Sequence, residues 1–143
     1  MKIPQLSIFL ENKPGHLNAI CRTLADAGVS ITTLSLADTQ QFGLVRIIVR
    51  DWEYAKEVLE KAGFLVNVRQ VVAVKVPDRA GGLVEMLDLF TAAGVNIEYM
   101  YAFTARSAGD AMMVFRFDDP DKAIATIQDA GRSLVDDPSE LFG

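Results

Sequence analysis

The sequence repeats itself, and this repeat constrains the possible folds more than any other feature. The segments "PGHLNAICRTLADAGVSI" and "AGGLVEMLDLFTAAGVNI" align without a gap, with Gly15 matching Gly81 at an offset of 81 − 15 = 66. Further on, Gly63 matches Gly131 at an offset of 131 − 63 = 68, so the second copy has two extra residues, which we expect in a hairpin loop near "TARSAGD". Each copy of such a repeat is one structural unit. We therefore expect two domains, at residues 1–70 and 71–143.

Each copy contains the same order of predicted elements. In the first, an extended run at about residues 3–10 precedes a helix whose apolar residues Leu17, Ile20 and Leu24 recur at helical spacing. Two β-rich runs follow, then a helix with Asp51 as its N-cap and a final strand, "FLVNV". The second copy ends in a short strand, "SLV", and a tail, "DDPSELFG", that we expect to be loosely held.

The order βαββαβ predicts an α+β chain made of two ferredoxin-like domains. The segment that joins the copies contains no Gly or Pro break, so no flexible linker is expected. Each unit leaves a sheet face and two sheet edges uncovered, which predicts that the domains pack against each other.

Composition excludes several classes of function. The net charge of −5, without a cluster of Lys and Arg, argues against a nucleic-acid partner. With one cysteine, Cys21, and one histidine, His16, the chain has neither an internal disulfide nor a Cys/His metal set. No apolar run is long enough to span a bilayer, and no cofactor motif is present. We expect a soluble cytoplasmic protein without a metal, a cofactor or a membrane partner.

The loop "ENKPGHL" before the first helix has two interpretations. Pro14 fixes its own φ and Gly15 permits a conformation closed to other residues, so the amides that follow lie unpaired at a helix N-terminus. Such amides suit a carboxylate, and Asn12 adds a donor and an acceptor. The alternative is a plain turn into the helix, which these residues taken alone favour.

The segments "LSIFLENKPGHLNAICRTLADAGVSI" and "VAVKVPDRAGGLVEMLDLFTAAGVNI" resemble ACT domains, regulatory modules that bind amino acids. The shared marks are Asn or Asp followed by x-Pro/Ala-Gly-x-Leu, and then Gly-Val-x-Ile. The resemblance covers the whole chain apart from the tail. The form "ENKPG" is also similar to regulatory subunits of acetohydroxyacid synthase and to the serine-sensing end of phosphoglycerate dehydrogenase. Leu10 stands where the serine sensors have a histidine, so serine is not supported as the ligand.

This resemblance implies two reciprocal sites, each shared between neighbouring domains. The first consists of a loop and a residue from the neighbouring domain's second strand: Asn12, Gly15, His16 and Leu17 with Asn96. The second is formed by the corresponding positions with the domains exchanged: Asp78, Gly81, Gly82 and Leu83 with Ser30. The second site departs from the pattern, because Ala80 replaces the proline and Asp78 adds a negative charge.

The function implied is a non-catalytic, amino-acid-binding regulatory protein, expected as a homodimer with ligand at the ACT–ACT interface. The alternative is a regulatory subunit of a separate amino-acid biosynthetic enzyme, such as acetohydroxyacid synthase. RNA-recognition motifs share the βαββαβ order, but Leu44 and Ile47 stand where stacking rings would be needed. An enzyme is not favoured, because the chain has no phosphate loop, dinucleotide fingerprint or nucleophile–base pair.

Overall fold

The computed structural model describes residues 2–107 and 109–142, without the side chains at 38, 39, 104–107 and 138. The chain folds into two compact units. The first unit is Pro4–Arg69, and the second is Gln70–Gly143 together with Met1–Ile3. Each unit has a hydrophobic core of its own.

The first unit contains strands and helices in the predicted order. It contains most of β1 (Lys2–Glu11), then α1 (His16–Asp26), β2 (Thr33–Thr39), β3 (Phe42–Ile48), α2 (Trp52–Lys61) and the start of β4 (Val66–Pro77). Its antiparallel strands lie in the order β2-β3-β1, and Ile8 of β1 opposes Val45 of β3. Both side chains are fully buried, as are Ile20 and Leu24 of α1 in the same core. The helical spacing predicted from the sequence is therefore confirmed.

The start of α2 was also predicted from the sequence. Asp51 is the N-cap of this helix, and its carboxylate accepts a hydrogen bond from the Tyr54 amide at 3.3 Å. This bond satisfies one of the amides that a helix leaves without an intrahelical partner. The N-cap prediction is confirmed.

The second unit repeats the order. It contains the rest of β4 and then α3 (Gly82–Ala93), β5 (Ile97–Ser107), β6 (Asp110–Phe117), α4 (Pro120–Asp129) and α5 (Pro138–Phe142). Its antiparallel strands lie in the order β4-β6-β5. Three buried aromatic rings form the centre of the core: Phe90 lies 4.9 Å from Phe117 in edge contact, and Phe115 stacks on Phe117 at 5.4 Å. The predicted α+β, ferredoxin-like class is confirmed.

The two extra residues of the second copy lie inside a strand and not in the hairpin loop where we expected them. Thr39 pairs with Phe42 and Ser107 pairs with Asp110, so two residues separate the paired ends of both hairpins. The register of β5 against β6 shifts between Ala102 and Arg106. A bulge absorbs extra residues in this way without lengthening the turn. Within "TARSAGD", Ala108 lies outside the described residues.

The C-terminal tail is ordered, contrary to our expectation. Leu141 of α5 is 5% exposed, and Glu140 forms an ion pair with Lys75 of β4 at 2.7 Å. The predicted strand "SLV" is reduced to one bridge, between Leu134 and Val74. The tail is held because its apolar side chain is removed from water. In the described part of the chain, no helix is both long enough and apolar enough to cross a membrane.

Candidate ligand-binding site

The loop between β1 and α1 places backbone amides at the N-terminus of a helix. Gly15 is the N-cap and has a φ of 90°, a conformation that side chains strongly disfavour. The His16 amide donates to the Lys13 carbonyl at 3.4 Å, and the Gly15 carbonyl accepts from the Ala19 amide at 2.9 Å. Among the described residues, the Gly15 and Leu17 amides meet no protein acceptor. The predicted amide donors are thus available at Gly15 and Leu17, while that of His16 is already engaged.

Asn12 attaches this loop to the β2–β3 hairpin. Its backbone amide donates to the Gln41 carbonyl at 3.0 Å, and its side-chain Nδ2 donates to the Gln40 carbonyl at 3.1 Å. Gln40 has a positive φ of 27°, which makes this carbonyl part of a tight turn. Asn12 therefore positions the loop, a role that the sequence did not indicate.

A pocket of about 130 Å³ opens beside the loop. Its lining comes from β1, the loop, α1 and the β2–β3 hairpin: Leu10, Glu11, Asn12, Lys13, Leu17, Leu36 and Gly43. The three leucines make one part of the wall apolar. Glu11, Lys13 and the side-chain amide of Asn12 make the other part polar. Asn12 and Leu17 were predicted as site residues, and the structure brings them together here.

Gly43 keeps this pocket open at the sheet. A Cβ at this position would lie 3.1 Å from Leu10 Cδ2, tighter than an ordinary contact. Sequence reasoning missed Gly43, Leu36 and Lys13. The only available signal for Lys13 was that a cation recurs at the same loop position of the second copy, as Arg79.

Lys13 and Glu11 give the pocket one charge of each sign. Lys13 Nζ lies 3.0 Å from Glu11 Oε2, and both side chains are 56% exposed. The hydrogen bond from Lys13 holds the pKa of Glu11 below its ordinary value. Glu11 is therefore ionised at neutral pH, and an exposed ion pair of this kind contributes little to stability.

His16 lines a groove that is separate from this pocket. Its Nδ1 accepts a hydrogen bond from the Glu11 amide at 3.2 Å, which leaves the ring proton on Nε2. The ring lines a separate groove of about 320 Å³ with Phe9, Phe42 and Leu65. His16 does not line the pocket that contains Asn12 and Lys13.

The loop of the second unit has the same backbone geometry. Gly81 has a φ of 83°, the Asp78 amide donates to the Gly109 carbonyl at 3.1 Å, and the Gly82 amide donates to the Arg79 carbonyl at 3.0 Å. Gly82 is buried against the end of β4, where an added Cβ would lie 2.0 Å from the Pro77 carbonyl oxygen. The small size of Gly82 thus has a packing explanation, without reference to a ligand. Leu83 packs partly buried on the core.

Asn96 and Ser30 do not complete the loop site of their own unit. Asn96 follows the C-terminal end of α3, and a helix of 12 residues is about 18 Å long, so Asn96 lies far from the loop at the other end. Ser30 follows α1 in the same way. Both side chains are exposed. The pairings of Asn12 with Asn96 and of Asp78 with Ser30 remain predictions.

The described residues contain no group of three or more His, Cys, Asp or Glu side chains placed to hold a metal ion. Each unit has a first strand, a glycine-capped helix, a hairpin of two strands and a second helix, and the two units together define a tandem of small ferredoxin-like modules. The chain belongs to the ACT domain pair family, whose model matches residues 1–140. ACT domains are regulatory modules and not catalytic ones, and membership supports a regulatory role for this chain.

Solved structures resemble most of the chain. Protein BT0572 from Bacteroides thetaiotaomicron is 36% identical, with a TM-score of 0.87 over 94% of this chain and 92% of that one. The regulatory subunit of aspartate kinase from Thermus thermophilus is 18% identical, with a TM-score of 0.64 over 89% of this chain and 91% of that one. The second likeness is one of fold. No curated protein matches the sequence.

Proposed function

We propose that the protein is a non-catalytic amino-acid sensor and that the Asn12–Lys13 pocket of the first unit receives the ligand. The single observation behind this proposal is the composition of the pocket wall. Lys13 and Glu11 offer an ammonium and a carboxylate 3.0 Å apart, which complement the carboxylate and the ammonium of an α-amino acid. The amides of Gly15 and Leu17, which meet no acceptor among the described residues, add donors for the ligand carboxylate at the positive end of α1.

The apolar part of the pocket favours a small aliphatic side chain. A volume of about 130 Å³ equals roughly four waters at about 30 Å³ each, which is enough for a few carbon atoms. A charged side chain against Leu10, Leu17 and Leu36 would lose its hydration without gaining a partner. Alanine, valine and leucine are therefore the expected ligand class.

Calorimetric titration of the purified, ligand-free chain with the twenty amino acids tests this proposal. We expect binding by small aliphatic amino acids and a loss of about tenfold or more in affinity for Lys13→Ala, since a charged hydrogen bond is removed. Lys61→Ala is the matched control, because Lys61 also forms an exposed ion pair, with Glu57 at 2.8 Å. Absence of binding at millimolar concentration, or equal affinities for the two variants, would contradict the proposed site.

We extend the proposal to the residues that would complete the site from a neighbouring ACT unit. Asn96 is the expected contributor to the Asn12 loop, in a homodimer that works in the cytoplasm, and ligand would favour one arrangement of the units over another. Asn96→Ala should weaken binding, while Asn18→Ala, on the exposed face of α1, should not. An unchanged affinity for Asn96→Ala would remove that residue from the site.

A regulatory subunit that acts on a separate enzyme is the second candidate. It is supported by the fold shared with the regulatory subunit of aspartate kinase from Thermus thermophilus, over 91% of that chain. Acetohydroxyacid synthase is another enzyme of the class that such a subunit would regulate. Affinity purification from native lysate separates the candidates, because a regulatory subunit should recover one amino-acid biosynthetic enzyme in stoichiometric amounts and a stand-alone sensor should not.

A further inference from the structure

The cations of the two loops have different partners. Lys13 lines the pocket of the first unit, and its counterpart at an offset of 79 − 13 = 66 is Arg79. Arg79 Nη2 donates to Glu85 Oε1 at 2.7 Å, and Arg132 Nη2 donates to Glu85 Oε2 at 3.2 Å. Each oxygen of one carboxylate is thus held by a guanidinium, and the loop cation is turned toward α3.

The first unit lacks the residues of this cluster at the corresponding positions. The counterpart of Glu85 is Ala19, at an offset of 85 − 19 = 66, and that of Arg132 is Phe64, at an offset of 132 − 64 = 68. The second match is supported by geometry. The Phe64 amide donates to the Leu59 carbonyl at 3.1 Å. The Arg132 amide donates to the carbonyl of Ile127, also five positions earlier, at 3.0 Å. In the first unit these positions are apolar, so Lys13 has no such cluster to draw it from its pocket.

The N-termini of the two helices also differ in charge. The first turn of α3 carries Glu85, whereas the first turn of α1 carries no acidic residue. The hydrogen bond from Arg79 lowers the pKa of Glu85, so this carboxylate is ionised at neutral pH. An anion at the N-terminus of a helix is stabilised by the helix dipole. The N-terminus of α3 therefore already has a negative charge beside it, that of Glu85. Asp78 in the loop adds a second carboxylate.

We propose that Glu85 is an internal carboxylate that takes the place of a ligand carboxylate at the second loop, so that each chain binds one amino acid, at the Asn12–Lys13 loop. This inference rests on the proposed function of the first loop. Glu85 acts by holding Arg79, the cation of the second loop, so that Arg79 does not bind a second ligand. It is thus a specificity-determining residue that makes the two copies of one motif unequal.

The stoichiometry of binding tests the inference. Calorimetric titration of the full chain with L-alanine, L-valine and L-leucine should give one bound amino acid per chain. Lys13→Ala should lower the affinity of all bound amino acid about tenfold or more, because one site accounts for all of it. Arg79→Ala should leave this affinity unchanged. Two bound molecules per chain, or a Lys13→Ala variant that keeps half of the sites, would overturn the inference while leaving amino-acid sensing intact. No binding at all would overturn the proposed function and this inference with it.

The role of Glu85 itself is tested by Glu85→Gln, which keeps the shape and removes the charge. We expect a second and weaker binding event in this variant. Its affinity should rise when Asp78→Asn is added, because the second loop then has an asparagine at the position that corresponds to Asn12. Glu57→Gln is the control, since it breaks an exposed ion pair of the first unit. Circular dichroism verifies that each variant is folded. A stoichiometry that stays at one in both the single and the double variant would show that Glu85 does not close the second loop.

Discussion

Replacing Gly82 with alanine should destabilise the second unit strongly. An ideal Cβ at this position would lie 2.0 Å from the Pro77 carbonyl oxygen, and real Cβ contacts are essentially never shorter than 3.0 Å, so the backbone must move by about 1 Å. The carbonyl cannot turn away freely, because it accepts the Arg79 amide at 2.9 Å. Overpacking costs about 1 to 3 kcal/mol, and a clash with backbone belongs at the upper end.

Urea unfolding measures this effect. With a slope near 2 kcal/mol per M, a loss of about 3 kcal/mol lowers the midpoint by roughly 1.5 M. Gly81→Ala is the matched control at the adjacent position. Its added Cβ meets nothing within 4 Å, but a φ of 83° makes any side chain strained, so a smaller loss of about 1 to 2 kcal/mol is expected. A Gly82→Ala protein as stable as wild type, or one less affected than Gly81→Ala, would refute the packing explanation.

Three further predictions concern stability. Asp51→Ala should cost about 1 kcal/mol in thermal unfolding, since it removes the cap on the Tyr54 amide, and an unchanged melting temperature would contradict this. Leu141→Ala should cost about 2 kcal/mol in urea unfolding because its side chain is 5% exposed, whereas a loosely held tail would show no loss. The hydrogen bond from Arg79 lowers the pKa of Glu85 from 4.5 in the folded protein. The contribution of Glu85 to the free energy of unfolding is therefore present above pH 4.5, and it is lost as the pH falls through the lowered pKa of the folded state. The stability gap between wild type and Glu85→Gln at pH 7 should therefore narrow below pH 4.5, and a constant gap would be evidence against the ion cluster.

Local sequence signals predicted most of the fold. Ile20 and Leu24 are one helical turn apart, and this spacing alone places both on the buried face of α1. Asp51 was recognisable because a cap binds an amide only three residues away. The repeat then transferred each of these signals to the second copy.

The candidate site was only partly predictable, because its wall comes from distant parts of the chain. Asn12 and Leu17 belong to a local motif, but Leu36 and Gly43 reach the pocket through the pairing of β2, β3 and β1. His16 belongs to the same motif, yet its ring binds the Glu11 amide and lies in a different groove. A motif specifies which residues are neighbours in the chain and does not specify where each side chain points.

By itself, the sequence determined the number of units, the order of their elements and the positions where helices begin, because periodicity and capping act over one or two turns. The tertiary structure decided how the two loops differ. Glu85 meets Arg132 across 47 residues, and the extra residues of β5 form a bulge that keeps the turn short. These contacts depend on strand register and on the packing of one helix against another, which no local pattern encodes.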